Sequence, residues 1–193
     1  CLCAEEARED TKPQQPLSFS PQNVRVWDKL NHEYVWRTRC GNNGEDHQMA
    51  GGFEWVEDNR DFISLGEAWV RGKRRGGLLM LSFPDGNVLN AELDVNLPKG
   101  RSFRLQYALT DWTARLTRNG LKFTVTATDA DGRVHPLIEQ VLKKGDRTVY
   151  NKNFRFDYPV RKLTFTHDNL GQEFWSVLWI YPEGLVVPPI PSA

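Results

Sequence analysis

The sequence predicts an all-β fold, a two-sheet antiparallel β-sandwich of the jelly-roll type with extended N- and C-terminal segments. Three observations carry that expectation. From Val24 onward, Gly, Pro, Asn and Asp punctuate the chain at intervals of about 8–12 residues. The runs between them are β-branched and aromatic and alternate with period two. No stretch of roughly a dozen residues carries an apolar stripe of helical period, so βαβ units, a parallel sheet and Rossmann-type chemistry fall away. The absence of a fixed-period repeat removes propellers and solenoids.

Taken in order, residues 1–22 are polar and contain several Pro, and read as a tether with a single helical turn over Ala4–Arg8. The sandwich spans 23–184. Its expected strands are Val24–Trp27, Glu33–Arg39, Phe62–Arg71, Leu78–Phe83, Val88–Val95, Ser102–Thr110, Leu121–Thr128, Arg133–Leu142, Phe154–Tyr158, Lys162–His167 and Phe174–Tyr181. Leu121, Phe123, Val125 and Ala127 alternate with Lys122, Thr124, Thr126 and Thr128, the pattern of a strand with one packed and one wet face. Pro84-Asp85-Gly86-Asn87 and Asp129-Ala130-Asp131-Gly132 are turn chemistry, and short turns of this kind lead one to expect consecutive strands to pair. Residues 185–193, with Val187-Pro188-Pro189-Ile190-Pro191, form an extended Pro-rich tail that cannot enter a central strand.

The chain has 193 residues, 39% hydrophobic and 26% charged, as expected of one ordinary domain. Twenty-five Lys and Arg balance 25 Asp and Glu, so no net field draws the protein to nucleic acid. No apolar run approaches the roughly 20 residues of a membrane-crossing helix. Seven Trp and ten Phe supply ample core.

Cys1, followed by Leu2 and the polar stretch Ala4–Gln15, resembles the mature start of a bacterial lipoprotein. That resemblance implies a covalent lipid on Cys1, attachment to a membrane through it, and an extracytoplasmic location, periplasmic or at the cell surface. In such an oxidising compartment Cys3 and Cys40 are a candidate disulfide pair. The alternatives are an arbitrary starting point and a structural thiol at Cys40.

Between about Leu93 and Leu185 the chain resembles the galactose-binding-like jelly rolls, in particular the NPCBM type of carbohydrate-binding module. The residues that carry this are Lys99-Gly100-Arg101-Ser102-Phe103, Ala108-Leu109-Thr110-Asp111-Trp112, the strand Leu121–Thr128 with its Asp-Gly turn at Asp131-Gly132, and Phe174-Trp175-Ser176-Val177-Leu178-Trp179. His167-Asp168-Asn169-Leu170-Gly171-Gln172-Glu173 stands where that family has polar residues before its last strand. The chain departs from the pattern after Thr110, where an excursion through Trp112 and Arg115 to Gly120 replaces a shorter Gly-containing motif. The resemblance implies a sandwich that binds carbohydrate through its loops.

Catalytic patterns are missing. No GxSxG elbow accompanies Ser64 or Ser176, and Gly72-Lys73-Arg74-Arg75-Gly76-Gly77 lacks phosphate-loop order, reading as a basic hairpin turn. The carboxylate pairs Glu54 with Asp58 and Asp129 with Asp131 sit in turn contexts, where solvated acids are the commoner explanation. Three Cys and four scattered His give no zinc spacing, and calcium at the acidic stretch Glu54, Glu57, Asp58, Asp61 has no EF-hand order behind it, so the metal is unknown and no cofactor is expected.

Three readings remain. The first is a non-enzymatic module that binds a glycan, with Trp55, Asp111, Trp112, His167 and Asp168 as contacts. The second is an accessory subunit docked on a larger membrane protein complex through its loops and the extended tail Leu185–Ala193. Separately, the basic patch Arg71, Lys73, Arg74 and Arg75 is a local feature suited to an acidic partner surface or lipid headgroups. The third, a small glycoside-active enzyme, lacks a convergent acid pair. Trp175 and Trp179 share one strand face and serve either core or binding.

Overall fold

A computed structural model describes residues 24–29, 33–34, 63–82, 88–172 and 176–185. Cys1, Cys3, Cys40, Trp55, Trp175, the helical turn at Ala4–Arg8, the acidic stretch Glu54–Asp61 and the tail past Leu185 lie outside the described residues. The described elements are β1 (Val24–Asp28), β2 (Glu33–Tyr34), β3 (Ile63–Val70), β4 (Lys73–Ser82), β5 (Val88–Leu97), β6 (Ser102–Leu109), α1 (Asp111–Leu116), β7 (Leu121–Asp129), β8 (Val134–Leu142), β9 (Tyr150–Arg155), β10 (Val160–Asp168) and β11 (Ser176–Pro182).

They form two antiparallel sheets, one of order β2-β1-β5-β10-β7-β8 and one of order β3-β4-β11-β6-β9. The expected β-sandwich is therefore the observed fold. Pairing of consecutive strands is not its general rule. After β4 the chain crosses to the other sheet at nearly every connection, and among these later strands only β7 and β8 are sequence neighbours that pair. The strands on either side of Pro84-Asp85-Gly86-Asn87, β4 and β5, lie in opposite sheets; those four residues themselves are outside the described residues. Crossing lets each strand lay one apolar face against the opposite sheet. Asp129-Ala130-Asp131-Gly132 is a true hairpin turn: Gly132 has φ 81°, and the Asp129 carboxylate accepts the Asp131 and Arg133 amides at 2.9 Å each.

The core lies between the sheets. Leu89, Leu93, Phe123, Val125, Leu163 and Phe165 of the six-stranded sheet meet Leu78, Met80, Phe103, Leu105, Tyr107, Leu178 and Ile180 of the other, all essentially inaccessible. Each such side chain contributes about 1.5–3 kcal/mol. The β7 alternation is as read from the sequence, with Leu121, Phe123, Val125 and Ala127 inward.

Two strands differ from expectation. The β9 ladder runs from Ser102↔Arg155 to Tyr107↔Tyr150, earlier than Phe154–Tyr158. Its residues Asn151, Lys152 and Asn153 are exposed on the sheet edge, where polar side chains discourage further pairing but leave no apolar pattern to read. The strand β4 begins at Lys73, because the turn before it contains only Arg71 and Gly72, both in the left-handed region (φ 50° and 71°). Two successive positive φ values make the two-residue hairpin turn that suits the strand twist.

The β3–β4 hairpin also folds back. In the five-stranded sheet Leu178 pairs with both Met80 and Leu109, so Asp111 lies just past one end of that row. Arg71 is nine residues from Met80 in the opposite direction, about 30 Å along a straight strand. Yet the Arg71 amide donates to Asp111 at 2.7 Å. The ladder must therefore bend between Leu78, the last β4 residue paired with β11, and the tip, a stretch in which Gly66 faces Gly77 beside Gly76. A Cβ on Gly77 would lie 2.9 Å from the Ile180 carbonyl oxygen and nearer still to Trp179 Nε1. The returning arm brings Ala68 and Val70 into a second apolar cluster with Leu79, Leu81, Ala108, Val177 and Trp179, on the sheet face away from the main core.

Candidate functional site

The fold-back assembles a cleft of ≈ 670 Å³ from three parts of the chain. The hairpin tip contributes Trp69, the start of α1 contributes Thr110, Asp111, Trp112, Ala114 and Arg115, and the β8–β9 connection contributes Gly145 and Arg147.

The helix α1 is the excursion after Thr110. Thr110 caps it, its Oγ1 accepting from the Thr113 amide at 3.4 Å, with Asp111 in the first turn and Arg115 in the last, both favourable to the backbone dipole. Thr113 Oγ1 accepts from the Val177 amide at 2.9 Å, which seats the helix on the start of β11. The Gly145 amide donates to the Ala114 carbonyl at 2.7 Å and holds the β8–β9 connection against it.

Asp111 closes the assembly. Its Oδ1 accepts from the Arg71 amide at 2.7 Å and its Oδ2 from the Gly72 amide at 2.8 Å, while Arg147 Nη2 approaches Oδ1 at 3.4 Å. Asp111 was expected to touch ligand directly. It borders the cleft, but its oxygens are committed to the hairpin tip, making it a positioning residue. Trp112 was expected on a loop. It stands half-buried on the helix and lines the cleft.

His167 and Asp168 are not part of this cleft. His167 is wholly buried on β10, its Nδ1 3.1 Å from the Met80 carbonyl oxygen and its Nε2 2.8 Å from Ser176 Oγ. A carbonyl only accepts, so Nδ1 carries the proton, and Nε2 is left as an acceptor facing the Ser176 hydroxyl, whose single proton it shares with Asn169 Oδ1. Burial pushes the His167 imidazole pKa down from 6.5 to about 3, partly opposed by the bond to Met80. The expectation of a ligand contact at His167 is thus overturned by the alternation that turns Leu163, Phe165 and His167 inward together. Asp168 points to the other face, where its Oδ1 accepts from the Leu170 amide at 2.8 Å in a local turn.

Ser176, His167 and Asn169 touch in sequence, with Ser176 Oγ 2.9 Å from Asn169 Oδ1, and resemble a nucleophile constellation on paper. All three are at 0% exposure, so no substrate carbonyl reaches Ser176 Oγ. They pack with Gln172, whose Nε2 donates to Asn169 Oδ1 at 2.8 Å, as a structural polar network.

The basic patch is divided. Lys73 and Arg75 alternate with Arg74 across the hairpin, Arg74 Nε pairs with Glu67 at 2.6 Å, and Arg75 Nε donates to the Val70 carbonyl at 3.4 Å. Period two therefore separates charges that are contiguous in sequence. Trp179 is core: it is 2% exposed and its Nε1 donates to the Gly76 carbonyl at 3.1 Å. Among the described residues, no three His, Cys, Asp or Glu side chains gather as metal ligands, and no helix is long and apolar enough to cross a membrane.

The cleft residues that sequence reasoning missed are Trp69, Arg115 and Arg147. Trp69 has a readable signal: it is the large aromatic out of step with buried Ala68 and Val70, and it is 39% exposed.

Solved structures similar to this chain include a family 61 carbohydrate-binding module in complex with β-1,4-galactotriose, with TM-score 0.36 and 14% identity over 56% of this chain and 71% of that one. A family 29 carbohydrate-binding module has TM-score 0.35 and 12% identity over 64% and 80%. An adhesin domain of Lys-gingipain from Porphyromonas gingivalis has TM-score 0.46 and 16% identity over 82% and 89%. No protein-family profile and no curated protein sequence matches the chain. Likeness at this level leaves the ligand of the cleft to be argued from its own residues.

Proposed function

We propose that the chain is a non-enzymatic glycan-binding module whose sugar lies in the cleft between the hairpin tip, α1 and the β8–β9 connection. The observation that supports this reading is the gathering of two indoles, Trp69 and Trp112, with two guanidinium groups, Arg115 and Arg147, around one open volume. A pyranose presents a face of C–H bonds and a rim of oxygens. Indole faces carry the negative quadrupole that attracts such C–H groups, and guanidinium N–H groups donate to the oxygens. The volume falls in the usual range of small-molecule pockets, about 300–1,000 Å³.

Trp and Arg also anchor protein interfaces, which keeps the accessory-subunit reading as the second one. The proposal further includes a lipid on Cys1 and an extracytoplasmic position, tested by intact-mass spectrometry of protein extracted from its native membrane.

The deciding experiment is an oligosaccharide array probed with the wild type, Trp69→Ala and Trp112→Ala. Selective binding that both variants lose, with the fold intact, supports the glycan site. Binding that both variants retain refutes this cleft. Absence of any bound saccharide, together with a stoichiometric membrane complex on gentle extraction, favours the accessory subunit.

A further inference from the structure

We infer that the sugar taken by this cleft is acidic, a uronic acid whose carboxylate rests on Arg115 and Arg147; this builds on the glycan reading above. A neutral sugar presents hydroxyls that need acceptors as well as donors. The cleft is short of acceptors. Both Asp111 oxygens already hold the hairpin amides, and buried Thr110 Oγ1 is engaged with Thr113 and the Val177 carbonyl.

The neighbouring acid, Asp146, is not among the lining residues, and both of its oxygens accept from the chain, Oδ1 from the Thr148 amide at 2.9 Å and Oδ2 from the Tyr150 hydroxyl at 2.7 Å. The donors are not used up. Arg115 is exposed in the last turn of α1 and has no hydrogen-bond or ion-pair partner among the described residues. Arg147 leans on Asp111 through Nη2 alone, at the long distance of 3.4 Å, and its side chain is 57% exposed.

Among the residues that line the cleft itself, two cations stand against one carboxylate, Asp111, and leave an excess of N–H donors facing the volume. The ligand group that accepts without needing to donate is an anion, and a planar carboxylate matches the guanidinium fork. On a pyranose that is a uronic acid, with Trp69 and Trp112 left to meet the ring.

The test compares binding of polygalacturonate and alginate oligosaccharides with their carboxyl-reduced, neutral counterparts, by calorimetry at low and high salt. Arg115→Gln and Arg115→Lys are measured beside the wild type. The expected result is at least tenfold tighter binding of one uronate series than of its reduced form, a difference that shrinks with salt, largely disappears in Arg115→Gln and partly returns in Arg115→Lys. Arg115 is exposed, so the melting temperature should stay where it is. Equal binding of native and reduced forms, or an uronate preference untouched by Arg115→Gln, overturns the inference and leaves the glycan reading standing. Failure of every saccharide of either kind to bind overturns both.

Discussion

The Asp111 carboxylate holds the tip of a hairpin that lies 40 residues earlier in the chain, taking the Arg71 amide on Oδ1 at 2.7 Å and the Gly72 amide on Oδ2 at 2.8 Å. Two-pronged acceptance is what keeps Trp69 beside Trp112. Alanine at this position removes both acceptors, and Asn retains one. Asp111→Ala should lower stability by about 1–2 kcal/mol, with Asp111→Asn intermediate. Loosening of the tip should also speed tryptic cleavage after Arg71 and Lys73, read by limited proteolysis and mass spectrometry. Unchanged cleavage would mean that the apolar contacts of Ala68 and Val70 hold the arm unaided.

The tip itself is strained in one residue. Arg71 has φ 50°, a conformation that Asn and Gly adopt far more readily than Arg. Because its amide rather than its side chain meets Asp111, Arg71→Asn preserves the contact. A gain of about 0.5–1 kcal/mol is expected, visible as a higher midpoint in urea unfolding.

At the bend, two cross-strand partners should respond differently to the same change. An added methyl at Gly66 meets Leu79 Cδ1 at 3.5 Å, ordinary contact, whereas at Gly77 it meets the Ile180 carbonyl oxygen at 2.9 Å and the indole of Trp179. Gly77→Ala is expected to cost about 1–3 kcal/mol or more, and Gly66→Ala well under half of that. Thermal melts of the two variants suffice, and equal losses would place the bend elsewhere.

These residues also show what the sequence disclosed. Strands β7 and β10 were legible because period-two alternation is a local consequence of packing one face. The hairpin fold-back was not, since Gly66, Gly76 and Gly77 read equally well as turn residues and the contact that fixes the bend is made by Asp111. Trp112 was found from its neighbour Asp111 in a non-strand segment. Arg115 and Arg147 were not, because a six-residue helix is too short to show a period, and the β8–β9 connection meets it only through tertiary structure. His167 illustrates the opposite error: it opens the polar segment before the last strand, where the resembled family has polar residues, yet the strand alternation turns it into the core, where Met80 and Ser176 are its partners.

Exposure separates the tryptophans by role. Trp69 is 39% exposed and Trp179 is 2% exposed, with Trp179 Nε1 donating to the Gly76 carbonyl. Trp69→Ala should change stability by less than about 1 kcal/mol while abolishing ligand binding. Trp179→Ala should cost about 3–5 kcal/mol through the cavity it opens. Paired melts and binding titrations check the contrast, and a large stability loss at Trp69 would make it a packing residue.

His167 sets an acid limit on the fold. Burial takes its pKa from 6.5 down to about 3, so between these values the unfolded chain holds a proton that the folded chain refuses. Proton uptake by the unfolded state makes stability rise with pH, so it is lost as pH falls below about 6.5, at up to about 1.4 kcal/mol for each pH unit until near pH 3. Above about pH 7 this group contributes no slope. Replacing it with Gln removes the titration but keeps a side chain able to donate to the Met80 carbonyl and accept from Ser176. His167→Gln is therefore expected to be less stable than the wild type at pH 7.5, with the gap narrowing steadily toward pH 4.5. Urea unfolding across that range measures it, and parallel curves for the two proteins would show that the acid sensitivity of the fold originates in other groups.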